Sequence, residues 1–146
     1  MDCPYCLEDK TKVTNKRKSL GAIRRRRECL KCSRRFTTYE RIELLNLVVI
    51  KKDNEREHYS RKKLLKGLLK ACSKRPVTNK QVIGVVNEIE AGIRKKNLKE
   101  IKSEFIGSLV MKKLKKLDKV AYLRFASVYK NFNSLDDFKN EIKSLE

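Results

Sequence analysis

The sequence has no tryptophan, only 2 prolines and 5 glycines, and a single histidine among its 146 residues. So few prolines and glycines leave no low-complexity tract and no Gly/Ser linker, and no internal repeat is visible. The one histidine, His58, falls in a turn region with no evident cysteine or aspartate partner and reads as a surface residue. There is no apolar run of about 18 residues, so no membrane-spanning helix is expected. The longest apolar stretch, Leu44 to Ile50, is broken by Asn46. Met1-Asp2-Cys3-Pro4 has neither the basic nor the apolar region of a signal peptide. Neither Gly-x-x-x-x-Gly-Lys-Ser/Thr nor Gly-x-Gly-x-x-Gly occurs, which excludes a P-loop and a Rossmann site. No carboxylate pair stands out for acid–base work, and an enzyme is not expected.

Acidic residues are also scarce, 18 against 38 Lys and Arg, for a formal net charge of +20. Such an excess repels itself and implies a polyanionic partner, most often nucleic acid. Lysine is spread over the whole chain and reads in large part as solvated surface. The arginines are clustered and carry the sharper signal. Hydrophobic residues make up 40%, enough for one modest domain, or for a very small one joined to a domain of about 100 residues. The expected location is cytoplasmic, where thiols stay reduced and paired Cys-x-x-Cys motifs favour a metal over disulfides.

Two such motifs are present, Cys3-Pro4-Tyr5-Cys6 and Cys29-Leu30-Lys31-Cys32. Two residues between thiolates let both sulfurs of one turn reach a metal at about 2.3 Å, and two such turns complete a tetrahedron. Four thiolates leave no open position, so one structural Zn²⁺ per chain is expected. The segment between them alternates weakly, around Thr11 to Thr14 and Ile23 to Arg25, as short hairpin strands do. A region this small buries too little apolar surface to fold alone, and the metal supplies its folding free energy. The fifth cysteine, Cys72, lies among Leu64, Leu65, Leu68 and Leu69 and reads as a small core residue.

From Lys10 to Arg35 there are twelve Lys or Arg and one acid, Glu28. Arg24, Arg25, Arg26 and Arg27 precede the second Cys pair, and Arg34 and Arg35 follow it. Alternate strand residues point to opposite faces, so one arginine pair faces a phosphate backbone or groove while the other packs across the ribbon. Arginine offers phosphate or guanine a bidentate fork that lysine lacks. Lys12, Arg17, Arg24, Arg25, Arg26, Arg27, Lys31, Arg34 and Arg35 are the candidate nucleic-acid contacts.

After Arg41 the character changes. Leu44 to Ile50 reads as a buried strand, Asp53-Asn54 as a turn, and Arg56 to Tyr59 as a returning strand. Ser60 is placed to cap a helix carrying Leu64, Leu65, Leu68 and Leu69, ended by Pro76. Thr78 with Gln81 makes a capping-box pattern ahead of Val82, Val85, Val86, Ile89 and Ile93. Ser103 starts a third helix with Ile106, Leu109, Val110, Leu114 and Leu117. A fourth runs from about Asp118 through Val120, Leu123, Phe125, Val128 and Phe132. Ser134 caps a short last one with Phe138, Ile142 and Leu145. The expectation is a small helical bundle with a hairpin on one end. Lys51 and Lys52 stand beside the hairpin turn, where they either guard an exposed edge or bind phosphate.

Ile23 to Cys32, running into Arg34-Arg35-Phe36-Thr37-Thr38-Tyr39-Glu40, resembles the signature of the NrdR family, bacterial repressors of ribonucleotide reductase genes. The likeness continues in Lys74-Arg75-Pro76-Val77, in Ile106-Gly107 with Leu109-Val110-Met111, and in Leu117 to Tyr129. It covers nearly the whole chain. The resemblance implies an α+β chain: a small β zinc ribbon over residues 1–43, then an ATP-cone over 44–137, a helical bundle with a β-hairpin lid, and a helical tail over 138–146. It implies a repressor whose ribbon binds paired operator boxes in double-stranded DNA. ATP or dATP in the cone changes its homo-oligomeric state, with the protein on the nucleoid when bound to DNA. Val49, Lys51, Lys52, Glu57 and Lys63 fall where the cone motif places nucleotide contacts. Lys52 replaces the usual arginine, Asn54 the usual glycine, and Ser60 a common aspartate. Leu7 and Ser33 follow the Cys pairs where many ribbons carry glycine. Asparagine tolerates a left-handed turn, so the hairpin survives. Charge and ribbon alone fit an RNA-binding or ribosome-associated zinc-ribbon protein equally well. The hairpin from Val49 to Asp53 and the arginine string favour the repressor.

Overall fold

The chain folds as two units, Met1–Glu43 and Leu44–Glu146; the computed structural model describes residues 1–19, 21–43 and 46–145. Unit one is an antiparallel sheet of β1 (Thr11–Ser19), β2 (Ala22–Cys29) and β3 (Arg35–Glu40), in that order. Gly21, at φ 73°, turns the first hairpin in the left-handed region. The register slips between Val13 and Asn15, a bulge at which the Thr14 hydroxyl donates to the Arg26 carbonyl at 3.2 Å. The third strand adds to the expected hairpin, and its Phe36, Thr38 and Glu40 alternate with Arg35, Thr37 and Tyr39. The only buried apolar residues described in this unit are Cys3, Ala22 and Cys29. That is too little to hold a fold by apolar burial.

Unit two is built on a sheet of β4 (Val48–Ile50), β5 (Arg56–His58) and β6 (Glu100–Lys102), in the order β5-β4-β6. β4 pairs antiparallel with β5 and parallel with β6. The hairpin turn closes through the Lys51 amide to the Glu55 carbonyl at 2.8 Å, with Asn54 at φ 65° where glycine is usual. The regular strand begins at Val48, later than the sequence pattern suggests, because Asn46 turns the chain at φ 66°; Leu44 and Leu45 lie outside the described residues. β6 is not foreseen in the sequence. His58 is on β5, not in the turn, and is exposed.

Among the described residues this unit has five helices: α1 (Arg61–Ala71), α2 (Asn79–Lys96), α3 (Ser103–Leu117), α4 (Lys119–Tyr129) and α5 (Leu135–Lys143). Their starts are set by side-chain caps, each stabilising by about 0.5–2 kcal/mol. Ser60 accepts from the Lys63 amide, Asp118 from Ala121, and Thr78 with Gln81 and Ser134 with Asp137 form capping boxes. α3 starts at Ser103 without a side-chain cap. Pro76 does not end α1: the helix stops at Ala71, its Cys72 amide bonding to the Leu68 carbonyl, before left-handed Lys74 at φ 57°.

The core joins Leu47, Val49 and Ile101 of the sheet region to Leu68, Val82, Val86, Ile89, Val110, Leu114, Ala121 and Ala126. Cys72 is buried in it. α4 buries Ala121, Tyr122 and Ala126, packs Leu123 and Phe125 against the core, and leaves Val128 82% exposed. α4 ends at Tyr129, ahead of Phe132, and α5 begins at Leu135, ahead of residue 138.

Candidate functional site

The four ribbon cysteines converge, their Sγ atoms all within 4.8 Å of one another. Cys3 lies 3.7 Å from Cys32 and Cys6 3.6 Å from Cys29. The two turns that carry them are copies of one motif. The Cys3 amide donates to the Glu8 carbonyl and the Cys29 amide to Arg34, while Leu7 and Ser33 donate back to the Cys3 and Cys29 carbonyls. Leu7 and Ser33 have φ of 59° and 56°, the left-handed conformation for which many ribbons use glycine. The amides of Lys31 and Cys32 point at the Cys29 sulfur at 3.4 and 3.5 Å. The Cys32 amide is the main reason that the Cys29 thiol is pulled down to about 7, while Cys6 is pushed up to about 12, the backbone hydrogen bond at Glu8 being outweighed by burial and the other three sulfurs. Four sulfurs without any oxygen or imidazole at the cluster fit a closed tetrahedral zinc site.

The strand register sorts the arginines. Arg24 stands between Arg17 and Tyr39, Arg26 between Asn15 and Thr37, and Glu28 between Lys12 and Arg35. On the other face Arg25 is opposite Thr38 and Arg27 opposite Phe36. Arg25 is held by Glu40 through its Nε at 2.7 Å and Nη2 at 3.0 Å. The Arg27 Nε donates to the Thr38 hydroxyl at 3.1 Å. Lys12 and Arg35 share Glu28, which they hold below its ordinary carboxylate value, Lys12 most. Lys31 is 3.7 Å from Glu8, and the Arg34 guanidinium lies over the Tyr5 ring. Among the described residues Arg17 and Arg26 make no ion pair, and Arg24 reaches only the Thr37 hydroxyl. One face therefore presents free guanidinium groups, and the other holds its own against Glu40.

In unit two a cavity of about 490 Å³ opens between the hairpin, the start of α1, and helices α3 and α4. Val49, Lys51, Lys52, Glu57 and Lys63 all line it. Glu57 bridges two cations, accepting from Lys63 Nζ at 2.6 Å with Lys51 Nζ at 3.6 Å. The Lys63 hydrogen bond is the main cause that lowers the Glu57 carboxyl below its ordinary value. A hydrogen bond from Lys51 to Glu55, at 3.1 Å, raises the Lys51 ammonium above its own. Lys52 Nζ donates to the Tyr129 carbonyl at 3.2 Å and sits 5.3 Å from the Tyr129 ring centre. The far wall is apolar and aromatic: Ile106, Val110, Phe125 and Tyr129, the two rings stacked at 5.9 Å. A cationic mouth over an aromatic wall suits a phosphorylated base.

Sequence reasoning missed Tyr59, Ser103, Gly107, Phe125 and Tyr129 as lining residues, although the last three stand in motifs that it singled out. It also missed a buried network beneath the mouth. Glu90 of α2, 6% exposed, accepts from the Tyr59 hydroxyl at 3.0 Å and pairs with Arg61, which also donates to Asn87 at 2.6 Å. This fixes both residues before and after Ser60, and so the start of α1. Burial, reinforced by Glu90, pushes the Tyr59 phenol up.

A sequence model of the ATP cone domain matches residues 47–135, and one of the N-terminal domain of NrdR-like transcriptional repressors matches residues 1–40. The transcriptional repressor NrdR of Clostridium perfringens (strain ATCC 13124) is 49% identical over 147 residues, covering 99% of both chains. That of Clostridium botulinum (strain Hall) is 50% identical over 99% of this chain and 97% of its own. These relatives bear the name of a repressor, not of an enzyme. The four thiols lie in the matched ribbon and fit one zinc ion. The cavity lies in the matched cone, a module that binds ATP or dATP.

Proposed function

Because the chain belongs to the NrdR family of transcriptional repressors, we propose that it represses ribonucleotide reductase genes in the cytoplasm. The ribbon binds paired operator boxes in double-stranded DNA, and ATP or dATP in the cone sets the oligomeric state. The observation that carries the nucleotide half is the convergence of Val49, Lys51, Lys52, Glu57 and Lys63 on one cavity with an aromatic wall. Lys51, Lys52 and Lys63 face the polyphosphate, and the base enters against Phe125 and Tyr129. The nucleotide must displace part of the Glu57 bridge, so the lysines exchange an internal carboxylate for phosphate oxygens.

Zinc held by Cys3, Cys6, Cys29 and Cys32 supplies the folding free energy of the ribbon. Arg17, Arg24 and Arg26 offer its DNA-facing cations. The nucleotide acts as ligand, not substrate: it shifts assembly by binding one arrangement better than another. Linkage then requires that assembly and DNA affinity respond to each other.

The test is light scattering with and without each nucleotide, beside operator titrations. Lys51→Ala is expected to lose nucleotide binding and to keep the same mass with ATP or dATP, while retaining its zinc. Wild-type protein with one mass and one operator affinity in every nucleotide state would overturn the reading.

A further inference from the structure

Helix α1 carries a row of lysines that neither site uses. Lys62, Lys66 and Lys70 recur at four-residue intervals, Lys74 follows just past the helix, and all four are exposed. Leu68 and Ala71 bury the opposite side. The helix contains no acid, and among the described residues none of the four lysines has an ion-pair partner. Among the described residues Lys112 and Lys116 of α3 are likewise exposed and without an ion pair, but α3 carries Glu104 in its first turn, whereas α1 has no acid at any position.

As a solvated face this row is unfavourable through its own repulsion. Like charges four residues apart on a helix repel. Cations in the first turn oppose the helix dipole, which bears on Lys62 alone, since Arg61 and Lys63 are paired with Glu90 and Glu57 and Lys70 stands in the last turn. The repulsion along the row is relieved when a polyanion lies along it. The charge balance points the same way. Residues 44–146 hold 25 Lys and Arg against 12 Asp and Glu, and residues 1–43 hold 13 against 6, so most of the excess lies outside the ribbon.

The spacing suits duplex DNA. Four-residue steps rise about 6 Å along a helix, so Lys62 to Lys70 span about 12 Å. Phosphates follow one another about every 3.4 Å of axis on each strand, which sets the row against three or four of them. Gly67, between Lys66 and Lys70, has open space where a Cβ would stand, so the helix backbone itself is open to approach.

We propose that Lys62, Lys66, Lys70 and Lys74 form a second DNA surface, carried by the cone, that contacts the phosphate backbone without reading bases. This rests on the reading of the chain as a DNA-binding repressor. The row begins beside Lys63 of the nucleotide cavity, so one helix borders both the nucleotide and the DNA.

The test uses the zinc-loaded full chain with Lys66→Glu/Lys70→Glu, and Lys112→Glu/Lys116→Glu as a partner of equal charge change on exposed positions of α3. The salt dependence of duplex affinity is measured with a specific and an unrelated DNA. The α1 variant is expected to lower the slope of log affinity against log salt by about 1.8, and affinity for both DNAs on the order of 10–100-fold. It should keep nucleotide binding and melting temperature, while the α3 variant changes the slope much less. Equal losses in both variants mean bulk charge alone and overturn the proposal, as does an unchanged slope in the α1 variant. Loss confined to single-stranded RNA also overturns it. Wild-type protein that binds no duplex sinks the repressor reading itself.

Discussion

The Tyr129 ring lies so close to Gly107 that a Cβ on Gly107 would stand 2.0 Å from ring carbon Cε2. The same ring forms part of the cavity wall, and its hydroxyl donates to the Glu104 carbonyl at 2.9 Å. Gly107→Ala must therefore push the ring out of its seat. Overpacking of this kind costs about 1–3 kcal/mol. The expected result is a lower melting temperature together with weaker ATP binding by calorimetry. Tyr129→Leu, which relieves the clash, should recover stability in the double variant without recovering nucleotide affinity.

Zinc removal separates the two units. The ribbon buries only Cys3, Ala22 and Cys29 among its described apolar residues, whereas the second unit has a continuous core. Cys29→Ser, or chelation, is expected to unfold the ribbon and abolish DNA binding while ATP binding survives. Metal analysis should return one zinc per wild-type chain. Iron in its place, or a folded ribbon after chelation, contradicts the structural role.

The two ribbon faces predict different arginine phenotypes. Arg24→Ala and Arg26→Ala remove cations that no carboxylate among the described residues neutralises, and each should lower the salt slope of operator binding by about 0.9. Arg25→Ala breaks the Glu40 pair instead. It should leave the slope near the wild-type value and lower ribbon stability by less than about 1 kcal/mol. Salt titrations of the three variants against one operator distinguish the faces.

Asp118 connects two segments with one carboxylate: it accepts from Arg75 Nε at 3.0 Å and caps α4 through the Ala121 amide at 2.7 Å. The Arg75 hydrogen bond is the main reason that its carboxyl lies below the ordinary aspartate value of 3.8. A depressed folded value stabilises the fold above the ordinary value, and that contribution is lost as pH falls through the depressed one. Asp118→Asn keeps a capping oxygen and removes the charge. Its melting temperature should be lower at neutral pH, by the equivalent of about 1–2 kcal/mol. Below about pH 4 the wild type should lose stability more steeply than the variant.

Local signals carried much of the helical unit. Ser60, Thr78 with Gln81, Asp118 and Ser134 each mark a helix start on their own, because a cap needs only a few neighbouring residues. Likewise Cys-x-x-Cys encodes a turn that brings its own two sulfurs together. Features made by distant partners were illegible. β6 has one apolar residue, Ile101, between Glu100 and Lys102, and exists only because β4 lies beside it. The same holds for β3, and for the Tyr59–Glu90–Arg61 network, which joins a strand end to the middle of α2. In the fourth helix Leu123 and Phe125 pack on the core as their spacing suggests, whereas Val120 and Val128 are exposed and the buried Ala121 and Ala126 were not singled out.

The parallel pairing of Val49 with Ile101 has a consequence for the life of the protein in the cell. The strand that lines the nucleotide cavity is completed only after α1 and α2 have been traversed, so a partly folded cone has no site. Nucleotide therefore binds the finished unit alone, and adds to its resistance to unfolding in proportion to supply, about 2.7 kcal/mol at a hundred times Kd. Proteolysis of the cone should slow as nucleotide rises. The supply of the nucleotide that the cone binds would then also determine how long each molecule lasts.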